Sequence, residues 1–381
     1  MQASTMMTGS PTQRPAEPVT ERAYMSVQLQ LLEACNLKCT HCYTGDPAPE
    51  RMPGTAEVKR RIDAIYAFGR RHGFEPDIHL SGGEPTLRKD LVEIIEHIFQ
   101  VHEGDALLFT NGTRFPLELA RKLYDAGLRF VQISLEGPEP LNDAVRGEGV
   151  YAAALTTLRM LRELGFRCTV SITITSANHA HLASFVESLD DLELHFHMRE
   201  VFPMGRGAEL LGLTSEQRRA LSHWAISYDG RSTVGLEDPT HCSVSPVYAR
   251  DRRGCVAGRN HFCVDVDGSV QPCKPFGLKV GHVNDLEEMW RSPELVRMRA
   301  RDYGGQCGRC EIKANCGGCR VYPWLAGDPF GEDTRCFAAE HDLVRSPLEA
   351  NTIRLVERVG RRVFLARQVA GRMLATLRDP G

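Results

Sequence analysis

The chain has 381 residues, 42% hydrophobic and 25% charged, with a formal net charge of −3. That is an ordinary globular composition, enough for one large or two average domains, and it offers no electrostatic footprint for nucleic acid. No apolar run reaches the roughly 18 to 20 residues of a membrane span and no signal peptide is visible, so a cytoplasmic protein without a transmembrane segment is expected.

Residues 1–22 are rich in Pro, Thr and Met, lack an apolar core, and read as a disordered tail. From Tyr24 short apolar strands alternate with amphipathic stretches. The expected strands are Ser26–Leu32, Asp77–Ser81, Ala106–Phe109, Arg129–Leu135, Cys168–Thr175 and Leu194–Val201. Expected helices lie near Thr55–His72, Leu87–His102, Pro116–Ala126, Val150–Leu164 and Asn178–Leu189. Such alternation predicts an α/β fold with a parallel sheet and right-handed crossovers over residues 23–235. A partial (β/α)6 barrel of the TIM type and a doubly wound sheet both fit it. In a barrel the active site belongs at the carboxyl ends of the strands.

Beyond Val201 the alternation fades, and Gly205–Gly235 reads as helical and mixed. Residues 236–254 form a linker with Pro239 and Pro246. Residues 255–340 are a small cysteine-rich cap with too few apolar runs for an ordinary core, so metal is expected to hold it together. Residues 346–378 carry one amphipathic helical pattern, with seven arginines against three acids from Pro347 onward. Packing on its own domain, gripping an acidic partner and lying on a membrane surface all suit such a helix.

Thirteen cysteines in a chain without a secretion signal point to metal or catalysis rather than disulfides. Cys35, Cys39 and Cys42 form a CxxxCxxC triplet in the loop after the first strand. Three thiolates can hold three corners of a four-iron cluster and leave one iron open; a zinc site or reduced thiols are the plainer readings. Ser81-Gly82-Gly83-Glu84-Pro85 follows the second strand, Thr110-Asn111-Gly112 the third, and Ser134-Leu135-Glu136 ends the fourth.

In that order and on those loops, the motifs resemble the radical S-adenosylmethionine (SAM) enzymes. The resemblance implies that the triplet holds a [4Fe–4S] cluster whose open iron chelates SAM. Reductive cleavage would then yield a 5′-deoxyadenosyl radical that abstracts hydrogen. It further implies SAM contacts from Ser81, Gly82, Gly83, Glu84, Asn111 and Ser134, with Arg146 on the carboxylate and Tyr43 beside the adenine. A surface salt bridge for Arg146 and core packing for Tyr43 are the plain alternatives. Glu136 stands where relatives often carry Asp.

Downstream, Cys255, Cys263, Cys273, Cys307, Cys310, Cys316, Cys319 and Cys336 resemble the SPASM extension of these enzymes, including a G-x4-C element at Gly268. That resemblance implies two auxiliary [4Fe–4S] clusters, one on Cys255, Cys263, Cys273 and Cys319, the other on Cys307, Cys310, Cys316 and Cys336. The Cys316-Gly317-Gly318-Cys319 gap is one residue shorter than usual. Structural zinc is the competing reading of the same cysteines. Cys168 reads as a small buried hydrophobe and Cys242, in a loop, as an idle thiol, with a redox or substrate-facing thiol as the alternative.

His195, His197 and Arg199 share one face of the sixth strand, at the barrel mouth or in its interior, with Glu200 on the other. The Gly205-Arg206-Gly207 turn is placed to touch SAM or simply to connect. Lys274 stands where sulfatase-maturing relatives carry a basic aspartate, which argues against formylglycine formation and leaves the catalytic base unassigned.

The expectation is therefore a radical SAM/SPASM oxidoreductase acting on a ribosomally made peptide by crosslink, thioether or decarboxylation. The Val145-Arg146-Gly147 and Gly205-Arg206-Gly207 segments are similar to maturases of the mycofactocin type. The front of the chain is too short for a leader-binding module, so a separate leader-binding protein is expected, with flavodoxin or ferredoxin as reductant. A small-molecule enzyme decarboxylating a haem-precursor propionate or tailoring a sugar, and a non-catalytic zinc scaffold, are the alternatives.

Overall fold

A computed structural model describes residues 23–46, 48–243 and 254–336. The expected N-terminal tail, most of the linker and the C-terminal helix lie outside the described residues.

Ten strands form one sheet in the order β10-β9-β8-β1-β2-β3-β4-β5-β6-β7. The six expected strands are β1 (Ala23–Gln30), β2 (Phe74–Ser81), β3 (Asp105–Thr110), β4 (Phe130–Ser134), β5 (Arg167–Ile174) and β6 (His195–Glu200), all paired in parallel. Two further parallel strands flank them. β7 (Thr233–Leu236) pairs with β6, so the end of the stretch read as helical and mixed is a strand. β8 (His261–Val264) pairs with β1 from the opposite side, Gln28 lying against Cys263. The short antiparallel β9 (Ser269–Gln271) and β10 (Gly281–His282) complete that edge.

The two sheet faces differ in chemistry. On one, Met25, Val27, Leu29, Val170, Ile172, Phe196 and Met198 are buried with the helices. On the other stand polar groups: Ser26 Oγ lies 2.8 Å from His261 Nδ1, Gln28 Nε2 donates to Ser81 Oγ at 3.1 Å, and His79 meets Asp77 at 2.8 Å. His195, His197 and Arg199 on β6 are half-buried on this face, as their alternation required. A doubly wound sheet buries both faces and reads as continuous apolar runs. One apolar face under helices and one polar face suit the open barrel instead.

Helix α1 (Thr55–His72) ties this barrel to the cap. Its Val58, Ile62, Ile65, Tyr66 and Phe68 are buried, while Arg61 Nη1 donates to the carbonyls of Asp265 and Val266 at 3.0 and 3.1 Å. Trp290 packs edge-on against Phe68 and Phe74, each at 5.6 Å between centroids. The remaining helices are α2 (Leu91–Glu96), α3 (Leu117–Asp125), α4 (Glu139–Arg146), α5 (Val150–Glu163), α6 (Leu182–Ser188), α7 (Ser215–Ser227), α8 (Leu286–Arg291), α9 (Pro293–Ala300), α10 (Gly305–Arg309) and α11 (Val321–Leu325).

Arg61 is 5% exposed, so removing its guanidinium strands the buried Val266 carbonyl and leaves that of Asp265 with Gly268 N alone. Arg61→Ala is expected to cost about 2 kcal/mol, read as a lower midpoint of denaturant unfolding, with Arg61→Lys recovering part of the loss.

Candidate functional site

The loop after β1 carries Cys35, Cys39 and Cys42, and the carboxyl ends of the neighbouring strands converge on it. None of the thirteen cysteines is joined in a disulfide; within the triplet Cys39 is buried while Cys35 and Cys42 are partly exposed. Burial pushes the thiols of Cys35 and Cys39 up, with the Arg146 guanidinium opposing this at Cys39. Leu37 N donates to Cys35 Sγ at 3.4 Å.

From the β2 end, Gly83 N and Glu84 N donate to the carbonyls of Leu32 and Ala34, both at 2.8 Å, which extends the β1–β2 ladder into the cysteine loop. A Cβ on Gly83 would stand 2.0 Å from the Ala34 carbonyl oxygen. The glycines are thus needed for close approach of the cysteine loop itself. The Glu84 carboxylate is 1% exposed and points into protein: Oε1 accepts from Thr86 N, Thr86 Oγ1 and Thr110 Oγ1, and Oε2 from Asn111 N at 2.7 Å. Burial pushes its pKa up, with those donors pulling it back.

From the β3 end, Asn111 Nδ2 donates to Asn36 Oδ1 at 3.0 Å, and its own oxygen accepts from Thr113. Asn36, inside the CxxxC segment, in turn donates to Thr113 Oγ1 at 2.8 Å.

From the β4 end comes Glu136, 1% exposed. Its Oε1 takes Arg146 Nε at 2.9 Å, Arg146 Nη2, and His41 Nε2 at 3.0 Å, while Oε2 accepts from Thr173 N at 2.7 Å. Burial alone would raise its pKa; Arg146 and His41 outweigh this and hold it below the usual carboxylate value. Arg146 Nη1 reaches Cys39 Sγ at 3.8 Å. Ser134 ends β4, partly buried, opposite Ser171.

From the β6 end, Arg206 donates through Nε to the Cys39 carbonyl at 2.9 Å and through its backbone N–H to the Cys42 carbonyl at 2.9 Å. Gly205 has φ +58°, and a Cβ there would lie 2.5 Å from the Cys42 oxygen. This turn does more than connect: it clamps the cysteine loop.

Of the residues expected to touch SAM, Asn111 and Arg146 direct side-chain donors at the loop that carries the thiols, whereas the Glu84 carboxylate binds Thr86, Thr110 and Asn111 and only its backbone N–H reaches that loop. Missing from the sequence reading were His41 and the clamping role of Arg206. His41 lies between two of the cysteines and its Nδ1 is buried without a partner, an imidazole nitrogen left over for a bound group. The signal available was its place in the Cys39-Thr40-His41-Cys42 run.

Tyr43 connects the triplet to the cap. Burial, with Cys263, Cys273 and Cys42 close by, pushes its phenol up, and its ring meets Phe202 edge-on at 6.3 Å. Arg199 lies near Cys273 and Cys319. Cys263 feels Cys273, Cys273 feels Cys255, and Cys319 feels Cys255, so these four thiols share one neighbourhood. Lys274 is ion-paired to Asp265 at 2.7 Å.

Cys307, Cys310, Cys316 and Cys336 line one small cavity. Its floor is the shortened gap: Gly317 and Gly318 have φ +74° and +61°, a left-handed pair that turns the chain within two residues. Gly318 N donates to Cys316 Sγ and Asp333 N to Cys307 Sγ, both at 3.4 Å. Cys319 is turned from this cavity toward Cys255, its N–H held by Asp333 Oδ2 at 2.8 Å. Arg335 locks this end to the barrel through Glu200 at 3.2 Å and is itself held by Asp333 of the cap at 3.0 Å, while Arg218 binds Glu200 with two contacts of 2.9 Å. Cys168 is a buried core thiol, pushed up to about 12 by burial. Cys242 packs against Cys316.

The model of the Radical SAM superfamily matches residues 29–191, and that of an iron-sulfur cluster-binding domain, SPASM, matches residues 255–317. The mycofactocin maturase MftC of Mycobacterium ulcerans is 31% identical over 326 residues, covering 81% of this chain and 86% of that protein. The AdoMet-dependent heme synthase of Oleidesulfovibrio alaskensis is 28% identical over 342 residues, covering 81% and 85%. Among solved structures, Streptococcus suis SuiB bound to its precursor peptide SuiA superposes with a TM-score of 0.68 at 16% identity, covering 83% of this chain and 76% of that one. anSMEcpe with bound AdoMet gives 0.67 at 16% identity, covering 88% and 96%. These two likenesses concern the fold.

Gly205→Ala is expected to push the cysteine loop off its clamp. In the iron-free chain, alkylation of Cys39, which is 9% exposed, should become several-fold faster while far-UV circular dichroism stays unchanged.

Proposed function

The chain belongs to the radical SAM superfamily and carries its SPASM extension, and from that premise we propose that it oxidatively modifies a ribosomally made peptide. Enzymes of this superfamily bind AdoMet at a [4Fe–4S] cluster, and the cap implies auxiliary clusters. Such a cluster supplies the electron that splits AdoMet into methionine and a hydrogen-abstracting 5′-deoxyadenosyl radical.

In this reading Cys35, Cys39 and Cys42 hold the AdoMet cluster. Cys255, Cys263, Cys273 and Cys319 hold one auxiliary cluster, and Cys307, Cys310, Cys316 and Cys336 the other. The donor sets fit: each is thiolate only, each sits in one neighbourhood, and the last surrounds a cavity. His41 Nδ1, buried without a partner, and the backbone of Ser81–Glu84 would supply polar contacts to the AdoMet amino acid end. Ser134 and Tyr43 complete the AdoMet contacts. Glu136 and Arg146 position the loop, and Arg146 places positive charge beside Cys39, which favours its thiolate.

The observation that carries the peptide reading is the 31% identity to a peptide maturase along most of both chains. A reductant of the flavodoxin or ferredoxin type and a separate leader-binding protein belong to this proposal, as does a cytoplasmic location. Among the described residues no helix is long and apolar enough to cross a membrane. The similarity to a heme synthase over a comparable length favours a second reading, oxidative decarboxylation of a tetrapyrrole propionate.

Cys39→Ala should abolish 5′-deoxyadenosine formation under dithionite and retain about eight of about twelve irons after anaerobic reconstitution. Retained cleavage would contradict the ligand assignment. Incubation with a candidate precursor peptide, sought among short reading frames beside the gene, should lower the peptide's mass. An unchanged peptide together with carbon dioxide released from a tetrapyrrole would transfer the assignment to the second reading.

A further inference from the structure

On the outer helical layer three side chains from two elements meet at one point. Asp63 projects from α1. His97 opens the π-helical turn His97–Val101 that follows α2, and His102 closes it. The Nε2 atoms of both rings lie 2.7 Å from the same oxygen, Asp63 Oδ1. All three ligating atoms fall within 4.8 Å of one another.

The turn produces this convergence. In an α-helix, positions five apart lie on divergent faces, whereas a π-turn adds the residue that brings them together. Such turns recur at functional sites because they cost backbone regularity. The two rings stand nearly perpendicular, 81° apart with centroids at 5.3 Å, so their nitrogens approach the shared point from different directions. Tyr66 holds the second ring, stacked on His102 at 4.3 Å and 6°. Its hydroxyl is buried without a partner, so that stack is held for packing. His102 is 6% exposed and His97 15%, while Asp63 at 49% leaves a side open to water.

We propose that Asp63, His97 and His102 bind one divalent transition-metal ion, zinc by preference, which clips α1 to the end of α2. Two imidazole nitrogens and one carboxylate oxygen suit zinc at about 2.0–2.2 Å per ligand, with water in the fourth position. Ligand atoms around such an ion stand about 3.3 Å apart, so the two 2.7 Å contacts need to open only slightly to admit it. The ion would replace two ring protons that otherwise compete for a single oxygen. The consequence is mechanical: α1 also carries Arg61, which holds the cap, so an ion at Asp63 would fix the helix from its opposite side.

The test uses the untagged, anaerobically reconstituted full chain, with its thiols occupied by clusters, titrated with zinc sulfate in a calorimeter. The unaltered chain is expected to bind one equivalent more than an H97Q/H102Q variant, and zinc should raise the thermal unfolding midpoint of the former alone. Asp63→Asn keeps the shape and one acceptor oxygen, so it guards against a variant that fails to fold; it should lose the same equivalent. Equal zinc stoichiometry and equal midpoints across the three proteins would overturn the proposal. The readout is independent of AdoMet cleavage, so failure here would leave the assignment of the cysteines intact.

Discussion

The buried carboxylate of Glu136 is the constraint on which the site depends. It sits almost without solvent and is compensated by Arg146 and His41, with Thr173 N on its second oxygen. One partner comes from inside the cysteine loop, another from the end of α4, and the third from β5. Removing one member of such a buried group typically costs about 3–5 kcal/mol because a charge is left behind. The chain keeps it here because the triplet lies on a loop with no regular secondary structure of its own. Four strand ends grip that loop from different sides. A ligand set that must meet a cluster at fixed distances needs this external framework.

The cap joins the framework as part of the same sheet. β8 pairs directly with β1, and the loop after β1 carries the triplet, so Cys263 lies against Gln28 on the strand that leads into Cys35. Tyr43 and Arg199 occupy the ground between the triplet and the cap thiols. At the far end, Arg335 and Arg218 saturate the single carboxylate of Glu200.

Much of this was legible in the sequence. The alternation of strands and helices was strong enough to place β1 to β6, and the spacing of cysteines and glycines placed the loops that matter. The turn at Gly317-Gly318 was legible too, since a glycine pair is the simplest way to absorb a missing residue. β7 was hidden because four residues, Thr233–Leu236, give too little periodicity to register. β8 was hidden because its apolar run is short and embedded among cysteines. Asn111 and Arg146 gave no sign of facing the loop; that depends on side-chain direction between segments up to 107 positions apart in the chain. The His97–His102 pair was invisible because a helical reading of that stretch puts its two rings on different faces.

The pairing of β8 with β1 bears on how such proteins can be divided. A shortened chain ending before residue 255 would present the bare edge of β1, with unpaired backbone groups along Ser26–Leu29, right beside the chemistry. The two recognised halves are therefore not interchangeable cassettes: a transplanted cap would have to bring a strand in matching register, and a barrel expressed without one would be prone to self-association through that edge.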